Sequence, residues 1–413
     1  EELSADLCSL VEGEDRPCIA LRMVLSEDGA KREHDFHRAL MRSPASLTYE
    51  LVQAAADGRP GPEVEPHLKT IADLYAAYDS AAKARERRQP LDLDLPERRI
   101  KLADDGTVAA VGFRDRLEAH RLIEEFMILS NVCAAETLEA RRRPHLLRVH
   151  EEPGQDKLDT LRDVAESCGL TLSKSQAIRP ALFNRLLHQA AGSEFAELIN
   201  LTVLRSQTQA YYSPDNLGHF GLNLRAYAHF TSPIRRYADL IVHRALIAAH
   251  DWGHDGQTGE EIEELKDTAE HISFTERRSM TAERDTNDRY LASYLSERVG
   301  NEFKGRVAGV ARFGLFVKLD ETGADGLVPI ASLGREWFRH DPETHTLTGE
   351  DSGRVISMGQ RCLVRLAEAV PVTGGLLLEL LEIEGDDAPR PRSRGRAPRK
   401  KISSATKARA KHA

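Results

Sequence analysis

The chain has 413 residues, of which 30 % are charged and 6 % aromatic, and its formal net charge is −9. This length and composition predict a globular chain of two or three domains with a large core. No apolar run approaches the length of a membrane span and no signal peptide is visible, which argues against membrane-spanning and secreted classes.

The five cysteines are scattered along the chain and form no C-x-x-C pair. This spacing argues against a disulfide framework and against a structural zinc site, and it favours a reducing cytoplasm. Because the chain begins at Glu1 rather than Met, inside sequence that already looks structured, we expect a fragment of a longer protein.

The N-terminal part predicts a β-hairpin followed by two helices. Residues 18–25 form the first strand, a turn signal occupies 27–29, and a second strand follows. Helical patterns then cover residues 67–88 and 120–142. In the second helix an expected inward stripe contains Ile123, Met127, Ser130, Ala134 and Leu138.

Residues 219–230 alternate strictly between apolar and polar side chains, which predicts a β-strand with one buried face. The open face would carry hydrogen-bonding and stacking groups, among them Tyr227 and His229. This strand would lead directly into a helix that Ser232 caps and the next residue, a proline, begins. A long polar helix is predicted over roughly 259–299.

The overall prediction is an α+β fold with three parts. A large mixed domain covers 1–299, and short strands with glycine-containing turns over 300–385 predict a closed barrel of about five strands. The tail at 386–413 is basic and of low complexity, which is typical of a disordered arm that binds a polyanion such as nucleic acid. A solvated tail without a partner is the alternative.

Two arginines near Ser232 stand where the electrostatics of a helix N-terminus disfavours cations. Cations in the first turn of a helix oppose the helix dipole, yet Arg235 and Arg236 occupy that turn of the predicted helix. A phosphate would explain them, because guanidinium groups and free backbone N–H groups both bind phosphate oxygens. The alternative is that both arginines pair with Asp239 as helix-surface salt bridges.

Acidic residues in the helices are further candidates. Glu125 is predicted to face solvent, whereas Glu124 and Asn131, two turns apart, could form a polar line into a cleft that accepts from sugar hydroxyls. An exposed helix face is the alternative for that pair. On its pattern alone, Glu283 belongs to a solvated helix face.

The predicted barrel also carries a candidate RNA-binding surface. Arg312, Phe313, Phe316 and Lys318 lie on adjacent strands, where interleaved aromatic rings and cations form a stacking platform for single-stranded nucleic acid. The alternative is that Phe316 belongs to the core.

Several motifs together resemble the ribonuclease II/ribonuclease R family of processive 3′→5′ exoribonucleases. They occur in the family's order and approximate spacing: LSADLCSL, SLTY, LIEEFMILSNVCAAE, HFGLNLRAYAHFTSPIRRYADL and MTAERD. The closing barrel is similar to the S-one-type OB domain that ends these enzymes, and a basic tail is typical of one branch of the family.

The resemblance implies roles for individual residues. Arg235 is similar to the catalytic arginine that contacts phosphates near the scissile bond, and Glu283 to the glutamate that binds the ribose of the 3′-terminal nucleotide. Glu124 resembles another substrate-contacting acid. The remaining RNA-binding candidates are Arg236, Tyr227, His229, Ser232, Arg312, Phe313, Phe316 and Lys318.

Departures from the family pattern affect two contacts. Leu93 stands where one branch has a phenylalanine that stacks on RNA, and Pro329 replaces the usual histidine of the barrel. The family's Mg²⁺ ligands, a cluster of aspartates, lie upstream of the block that matches residues 3–10. The nearest clusters in this chain lack the required spacing: Asp92 and Asp94, Asp104 and Asp105, and Asp386 and Asp387.

The sequence therefore predicts part of a cytoplasmic, monomeric 3′→5′ exoribonuclease that hydrolyses single-stranded or structured RNA to 5′-nucleotides with Mg²⁺. We expect no metal ligand in this chain, no membrane contact, and RNA binding without hydrolysis by this chain alone. The tail could contact the ribosome or a degradation complex. Two alternatives stay open: a non-catalytic RNA-binding or regulatory protein derived from the family, and a translation-type factor with an OB barrel.

Overall fold

The computed structural model describes residues 2–93, 97–173, 177–193, 195–342 and 344–385. The elements before the barrel are β1 (Asp15–Leu25), β2 (Lys31–Arg42), α1 (Tyr49–Ala56), α2 (Leu68–Arg88), β3 (Glu97–Leu102), β4 (Val108–Arg114), α3 (Glu118–Ala140), β5 (Leu147–Val149), α4 (Gln155–Ser167), α5 (Pro180–Ala190), α6 (Ala196–Ser206), β6 (Tyr211–Ser213), α7 (Tyr237–Ala249), α8 (Gly259–Glu263) and α9 (Leu265–Ser296). Those of the C-terminal part are β7 (Glu302–Ala311), β8 (Gly314–Leu319), β9 (Asp325–Pro329), β10 (Phe338–Asp341), β11 (Thr346–Gly349), β12 (Val355–Ser357), β13 (Arg361–Val370) and β14 (Gly375–Ile383).

The predicted N-terminal hairpin and both predicted helices are confirmed. Strands β1 and β2 pair antiparallel, and their inner face packs on α3 and α7. Phe36 of β2 meets Phe230 edge to face, with the ring centroids 5.2 Å apart. This packing buries the apolar side of α3 and fixes the helix beneath the segment that precedes α7.

The inward face of α3 differs from the predicted stripe. Ala134 and Leu138 are buried as expected, but Ile123 is 37 % exposed. Glu125, predicted to face solvent, is buried and pairs with Arg88 of α2 at 3.2 Å. Burial raises the pKa of Glu125 against the opposing charge of Arg88. The prediction for Glu125 was wrong because its partner lies on a different helix.

Residues 219–230 do not form the predicted strand. The chain turns at Asn223, which adopts a left-handed φ of 52° and donates from its side chain to the carbonyl of Arg88. The residues from 226 onwards make isolated hydrogen bonds to a residue of β5 and to a side chain of α3, and these do not form a continuous strand ladder. The carbonyl of Tyr227 accepts from the N–H of Arg148, and the N–H of Phe230 donates to Asn131.

The helix after this segment begins later than predicted. Residues 232–235 form a turn in which the N–H groups of Arg235 and Arg236 donate to the carbonyl of Ser232. Arg236, with an extended backbone, is the N-cap of α7, which starts at Tyr237. Neither arginine therefore lies in a helical first turn, and the predicted conflict with the helix dipole does not arise.

The predicted five-stranded barrel is confirmed, and the α+β fold class with it. Strands close in the order β13-β14-β9-β8-β7, and the end of α9 packs against the barrel core. Strand β8 alternates as a barrel strand should, with Leu315, Val317 and Leu319 inside. A three-stranded sheet, β10-β11-β12, is inserted between β9 and β13 and was not predicted.

Some predictions fall outside the described residues, namely those for the tail at 386–413, including Asp386 and Asp387, and for Asp94. Among the helices of the described ranges, none is long and apolar enough to cross a membrane. The domain divisions after residues 299 and 385 stay predictions.

Substitution of Gly314 by alanine should destabilise the barrel. Gly314 has a φ of 150°, and a Cβ there would lie 2.1 Å from the carbonyl oxygen of Val328. We expect the free energy of unfolding to fall by about 3 kcal/mol, because strain and a backbone clash act together. Urea denaturation measures this, with Gly112→Ala, where a Cβ meets open space, as the control. Equal midpoints for the two variants would contradict the prediction.

Candidate nucleic-acid interface

A buried carboxylate organises the turn before α7. Asp239 is 0 % exposed and accepts the N–H of Ser232 at 2.7 Å. It also accepts two hydrogen bonds from the guanidinium of Arg236, both at 2.8 Å. The alternative in which Arg236 pairs with Asp239 is thus confirmed for that arginine, although the pair is buried and bidentate rather than on the helix surface.

Arg235 is different from its neighbour. Its side chain is exposed and makes no hydrogen bond or ion pair with any described residue. Ile234 and Tyr237 beside it are 51 % and 57 % exposed. The turn therefore presents one free guanidinium, on a backbone that the Asp239 carboxylate holds in place, next to exposed apolar surface.

A hydrogen-bonded network supports the turn from below. The amide of Asn131 on α3 donates to the hydroxyl of Tyr227 at 2.8 Å, and its oxygen accepts the N–H of Phe230 at 2.8 Å. The ring of Tyr227 lies edge-on to His219 and His229. Because Tyr227 is only 8 % exposed, the prediction that it presents an open stacking surface is wrong.

His229 is half-buried, and its Nδ1 lies 2.9 Å from the hydroxyl of Tyr212. Burial, together with the positive charges of Arg236 and Arg148, lowers the pKa of His229 to about 2. Burial also raises the pKa of Tyr212 to about 12. Both rings are therefore neutral at physiological pH, and the arginines supply the positive charge of this region.

Helix α9 is tied to the same network. The guanidinium of Arg148 lies 4.7 Å from the ring centroid of Tyr212 and donates to Glu276 at 2.6 Å. The N–H of Tyr212 donates to Ser273, one turn earlier on α9. Glu283 lies two turns beyond Glu276 on the same helix face, about 10 Å farther along. Its carboxylate is exposed and has no hydrogen bond or ion pair in the described ranges.

A cavity of about 620 Å³ lies beside the network. His150 and His219 line it together with Arg179, Phe220 and Arg225. Burial, reinforced by His150 and Arg148, lowers the pKa of His219 to about 3. The cavity therefore combines neutral imidazoles and an aromatic ring with two arginines, a mixture of groups suited to a polar ligand.

The predicted polar line on α3 is not formed. Glu124 is exposed and accepts from Arg116 at 2.5 Å, whereas Asn131 is buried and uses both ends of its amide in the network. No hydrogen bond or ion pair between described residues joins Glu124 or Glu283 to the turn of Arg235. Leu93 is half-buried and packs against the apolar core formed by α4, α5 and α6.

The residues of the predicted platform lie at the barrel surface, and the platform itself stays a prediction. Phe313 and Phe316 are 57 % and 40 % exposed, and their rings meet edge to face with centroids 5.8 Å apart. The alternative that Phe316 belongs to the core is wrong. Arg312 is exposed and Lys318 is half-buried on the same hairpin. Phe316 and Lys318 therefore lie on the outer side of β8, and Arg312 and Phe313 lie in the turn that precedes it.

The described residues contain no group of three or more His, Cys, Asp or Glu side chains that could hold a metal ion. Two aspartates of the clusters considered in the sequence have other partners. Asp92 pairs with Arg85 at 3.1 Å, and Asp105 accepts both the N–H and the hydroxyl of Thr107. These two carboxylates therefore serve local structure.

Sequence reasoning missed the Arg148–Glu276 pair. The two residues are 128 positions apart, and neither carries a local pattern that marks it. The sequence gives a weak indication that Asp239 is buried. A single acid within a largely apolar helical segment indicates a buried carboxylate, which needs a partner.

Comparisons with known proteins agree with this architecture. The RNB domain family model matches residues 1–251, and the S1 RNA binding domain model matches residues 296–378. Ribonuclease R of Escherichia coli strain K12 is 38 % identical over 382 residues, covering 90 % of this chain and 47 % of that protein. The chain spans about half the length of the curated relatives it matches.

Solved structures of RNase R are also similar to this chain. The apo form of Mycoplasma genitalium RNase R has a TM-score of 0.87 and 25 % identity, over 92 % of this chain and 60 % of that one. The same protein in complex with ribose-methylated single-stranded RNA has a TM-score of 0.86, with 25 % identity and the same coverage.

Replacement of Asn131 by alanine should lower stability strongly. The change leaves the N–H of Phe230 and the hydroxyl of Tyr227 without partners inside the core. We expect a loss of about 3 kcal/mol in the free energy of unfolding, since each unsatisfied group costs roughly 1–3 kcal/mol. The control is Ser130→Ala on the same helix, whose hydroxyl bonds only within the helix. Similar melting temperatures for both variants would refute the network's role.

Acid should destabilise the fold through its buried histidines. The folded pKa of His219 is about 3, below the unfolded value of roughly 6.5, so below pH 6.5 the unfolded chain binds a proton that the folded chain does not. Stability should therefore decline as pH falls from 6.5 towards 3. His219→Gln should flatten the slope by up to about 1.4 kcal/mol per pH unit. Unfolding by urea at several pH values measures this, and the exposed His254→Gln should leave the slope unchanged.

Proposed function

Because this chain belongs to the RNB domain family, we propose that it binds and positions RNA for a 3′→5′ exoribonuclease that releases 5′-nucleotides. Support comes from the match to the S1 RNA binding domain and from relatives named Ribonuclease R. The RNA complex of the Mycoplasma genitalium protein supports single-stranded RNA as the ligand.

One observation carries the proposal, which is the free guanidinium of Arg235. Hydrolysis of a phosphodiester places extra negative charge on the phosphoryl oxygens in the transition state. A guanidinium that already lies exposed and unpaired can donate two hydrogen bonds to those oxygens without first breaking an ion pair. We assign Arg235 this contact.

The neighbours of Arg235 have supporting roles in this proposal. Arg236 uses its guanidinium to bind Asp239, so we assign it the positioning of the turn, together with the backbone of Ser232. Tyr227 and His229 support the turn as members of the hydrogen-bonded network that includes Asn131 and Tyr212. The resulting rigidity means that Arg235 need not be reorganised when RNA arrives.

Contacts to ribose and bases would come from other elements. Glu283 offers an unpaired carboxylate that can accept from the hydroxyls of a terminal ribose. To bind the substrate, Glu124 would have to give up its hydrogen bond from Arg116. On the barrel, Phe313 and Phe316 would stack on bases while Arg312 and Lys318 contact phosphates.

Mg²⁺ is the cofactor that we infer for such an exoribonuclease from the family resemblance alone. The described residues do not fit it: Asp92 pairs with Arg85, Asp105 accepts from Thr107, and no three His, Cys, Asp or Glu side chains among them come together. We assign no residue of this chain to the metal and derive no step through it.

The setting of the enzyme is also inferred. A cytoplasmic location is supported by five cysteines that are all free thiols. We further propose a monomer, and a basic tail that contacts the ribosome or a degradation complex.

A gel time course with 5′-labelled single-stranded RNA tests the proposal. We expect this chain to shift the RNA without shortening it, in Mg²⁺ or in EDTA. Arg235→Ala should weaken binding about fivefold and reduce the slope of log affinity against log salt by about 0.7, the value for one phosphate contact. The exposed Arg32→Ala on β2 is the matched control.

Each result separates the possibilities. Equal binding by the wild type and Arg235→Ala would remove Arg235 from the RNA site, and no binding at all would contradict the function. Mg²⁺-dependent shortening from the 3′ end, lost in Arg235→Ala, would support the catalytic role and overturn our expectation that this chain lacks a metal site.

A further inference from the structure

The chain that enters the inserted sheet exposes a tryptophan with arginines close to it in sequence. Trp337 is 82 % exposed, the highest value of any large apolar side chain in the described residues. It precedes β10, and side chains alternate along this stretch, with Phe338 buried and Arg335 and Arg339 exposed. Trp337 and Arg339, two residues apart where the chain enters β10, therefore lie on the same side of that strand, and Arg335 precedes them in a bend. We call these three residues the Trp337 strip.

The backbone beneath the strip is fixed. The carbonyl of Trp337 accepts the N–H of Glu350 at 2.9 Å. On the opposite side of the chain, Glu336 accepts the N–H groups of Asp351 and Ser352 and the hydroxyl of Ser352. These bonds lower the pKa of Glu336, which keeps it ionised. The indole is thus presented to solvent by ordered, hydrogen-bonded structure.

The two arginines of the strip have no ion-pair partner among the described residues. Neither Arg335 nor Arg339 makes a hydrogen bond or ion pair within the described ranges, although other arginines of the barrel do. Residues two apart on an extended strand are about 7 Å apart. The free guanidinium of Arg339 therefore follows the indole on the same side of the strand, and the free, exposed Arg335 lies two residues before it in sequence.

This arrangement fits a single strand of nucleic acid better than a protein. Bases stack on exposed aromatic rings, and guanidinium groups contact the backbone phosphates. A stable protein interface buries about 800 Å² on each partner, mostly around an apolar centre. The strip has one large ring, and in the rest of the inserted sheet Val355 of β12, 51 % exposed and separated from β10 by β11, is the one further exposed large apolar side chain among the described residues.

We propose that the Trp337 strip is a second RNA-binding site of the barrel, in which a base stacks on Trp337 while Arg335 and Arg339 bind the adjacent phosphates. This inference rests on the proposed RNA-binding function and adds a site to it. The strip is distinct from the platform of Phe313 and Phe316.

One RNA strand can reach both sites. The N–H of Ile330 donates to the carbonyl of Phe313, so the two surfaces are linked by a stretch of chain that is seven residue steps long, from Ile330 to Trp337. Seven extended residues span at most about 25 Å. OB folds bind roughly 4–16 nucleotides, so a strand bound at the platform has the length to continue onto the strip.

Tryptophan fluorescence tests the proposal directly. The chain has two tryptophans, Trp252 and Trp337, so Trp252→Phe leaves Trp337 as the sole reporter. Titration with an oligoadenylate in EDTA should quench Trp337 emission at the concentrations where anisotropy of the labelled RNA reports binding. In the Trp337→Phe variant, the emission of Trp252 should stay constant. Binding without any change in Trp337 emission would overturn the proposal.

Affinity measurements give an independent check. Trp337→Ala should weaken binding of the oligoadenylate about tenfold, as loss of one stacked base does. Arg335→Gln and Arg339→Gln should each reduce the salt slope by about 0.7. Val372→Ala, which removes a side chain 79 % exposed on the β13–β14 turn, is the control and should bind as the wild type does.

The outcomes separate this proposal from the one on which it rests. If the wild type binds RNA and Trp337→Ala binds equally well, the strip is not an RNA site, whereas the proposed function stands. If the wild type binds no RNA, both fail. Because the indole is exposed, loss of folding is not expected, and circular dichroism of the variants verifies this.

Discussion

The buried carboxylate of Asp239 is the constraint on which the candidate site depends. A fully buried charge is unfavourable unless it is paired and hydrogen-bonded, and Asp239 meets that requirement with one backbone N–H and two guanidinium donors. Its three bonds shape the turn from Ser232 to α7 and engage Arg236. As a consequence Arg235, the adjacent residue, is left without an internal partner, and its charge is available to a ligand.

The surrounding fold makes this constraint effective. Asn131 of α3 holds the segment that enters the turn, and the Arg148–Glu276 pair joins that segment to α9. These contacts come from parts of the chain that are far apart in sequence, so the position of Arg235 depends on the whole domain. The histidines within the network are neutral because burial and neighbouring arginines disfavour their protonation.

The sequence predicted elements whose signal is local and failed where distant partners decide. The hairpin, α2, α3 and the barrel follow from periodicity and turn residues that a short window contains. The alternation at 219–230 suggested a strand, but the chain turns at Asn223, and backbone groups of the later residues pair with Arg148 and Asn131 instead. Glu125 was misplaced for the same reason, because Arg88 of another helix neutralises it.

The site was predicted in part, and the limits have a physical cause. The family resemblance singled out Arg235 by its position in the motif, and the structure adds the physical difference from Arg236, since the two arginines differ in partner rather than in type. A free arginine on rigid, buried support is suited to a single demanding contact, where geometry matters most. The barrel, by contrast, spreads exposed rings and cations over its surface, and such contacts tolerate any base because each has a face to stack. In the proposed function, contact with one phosphate and sequence-independent binding of the strand would call for two different kinds of surface, a rigidly supported free arginine and a set of exposed rings and cations.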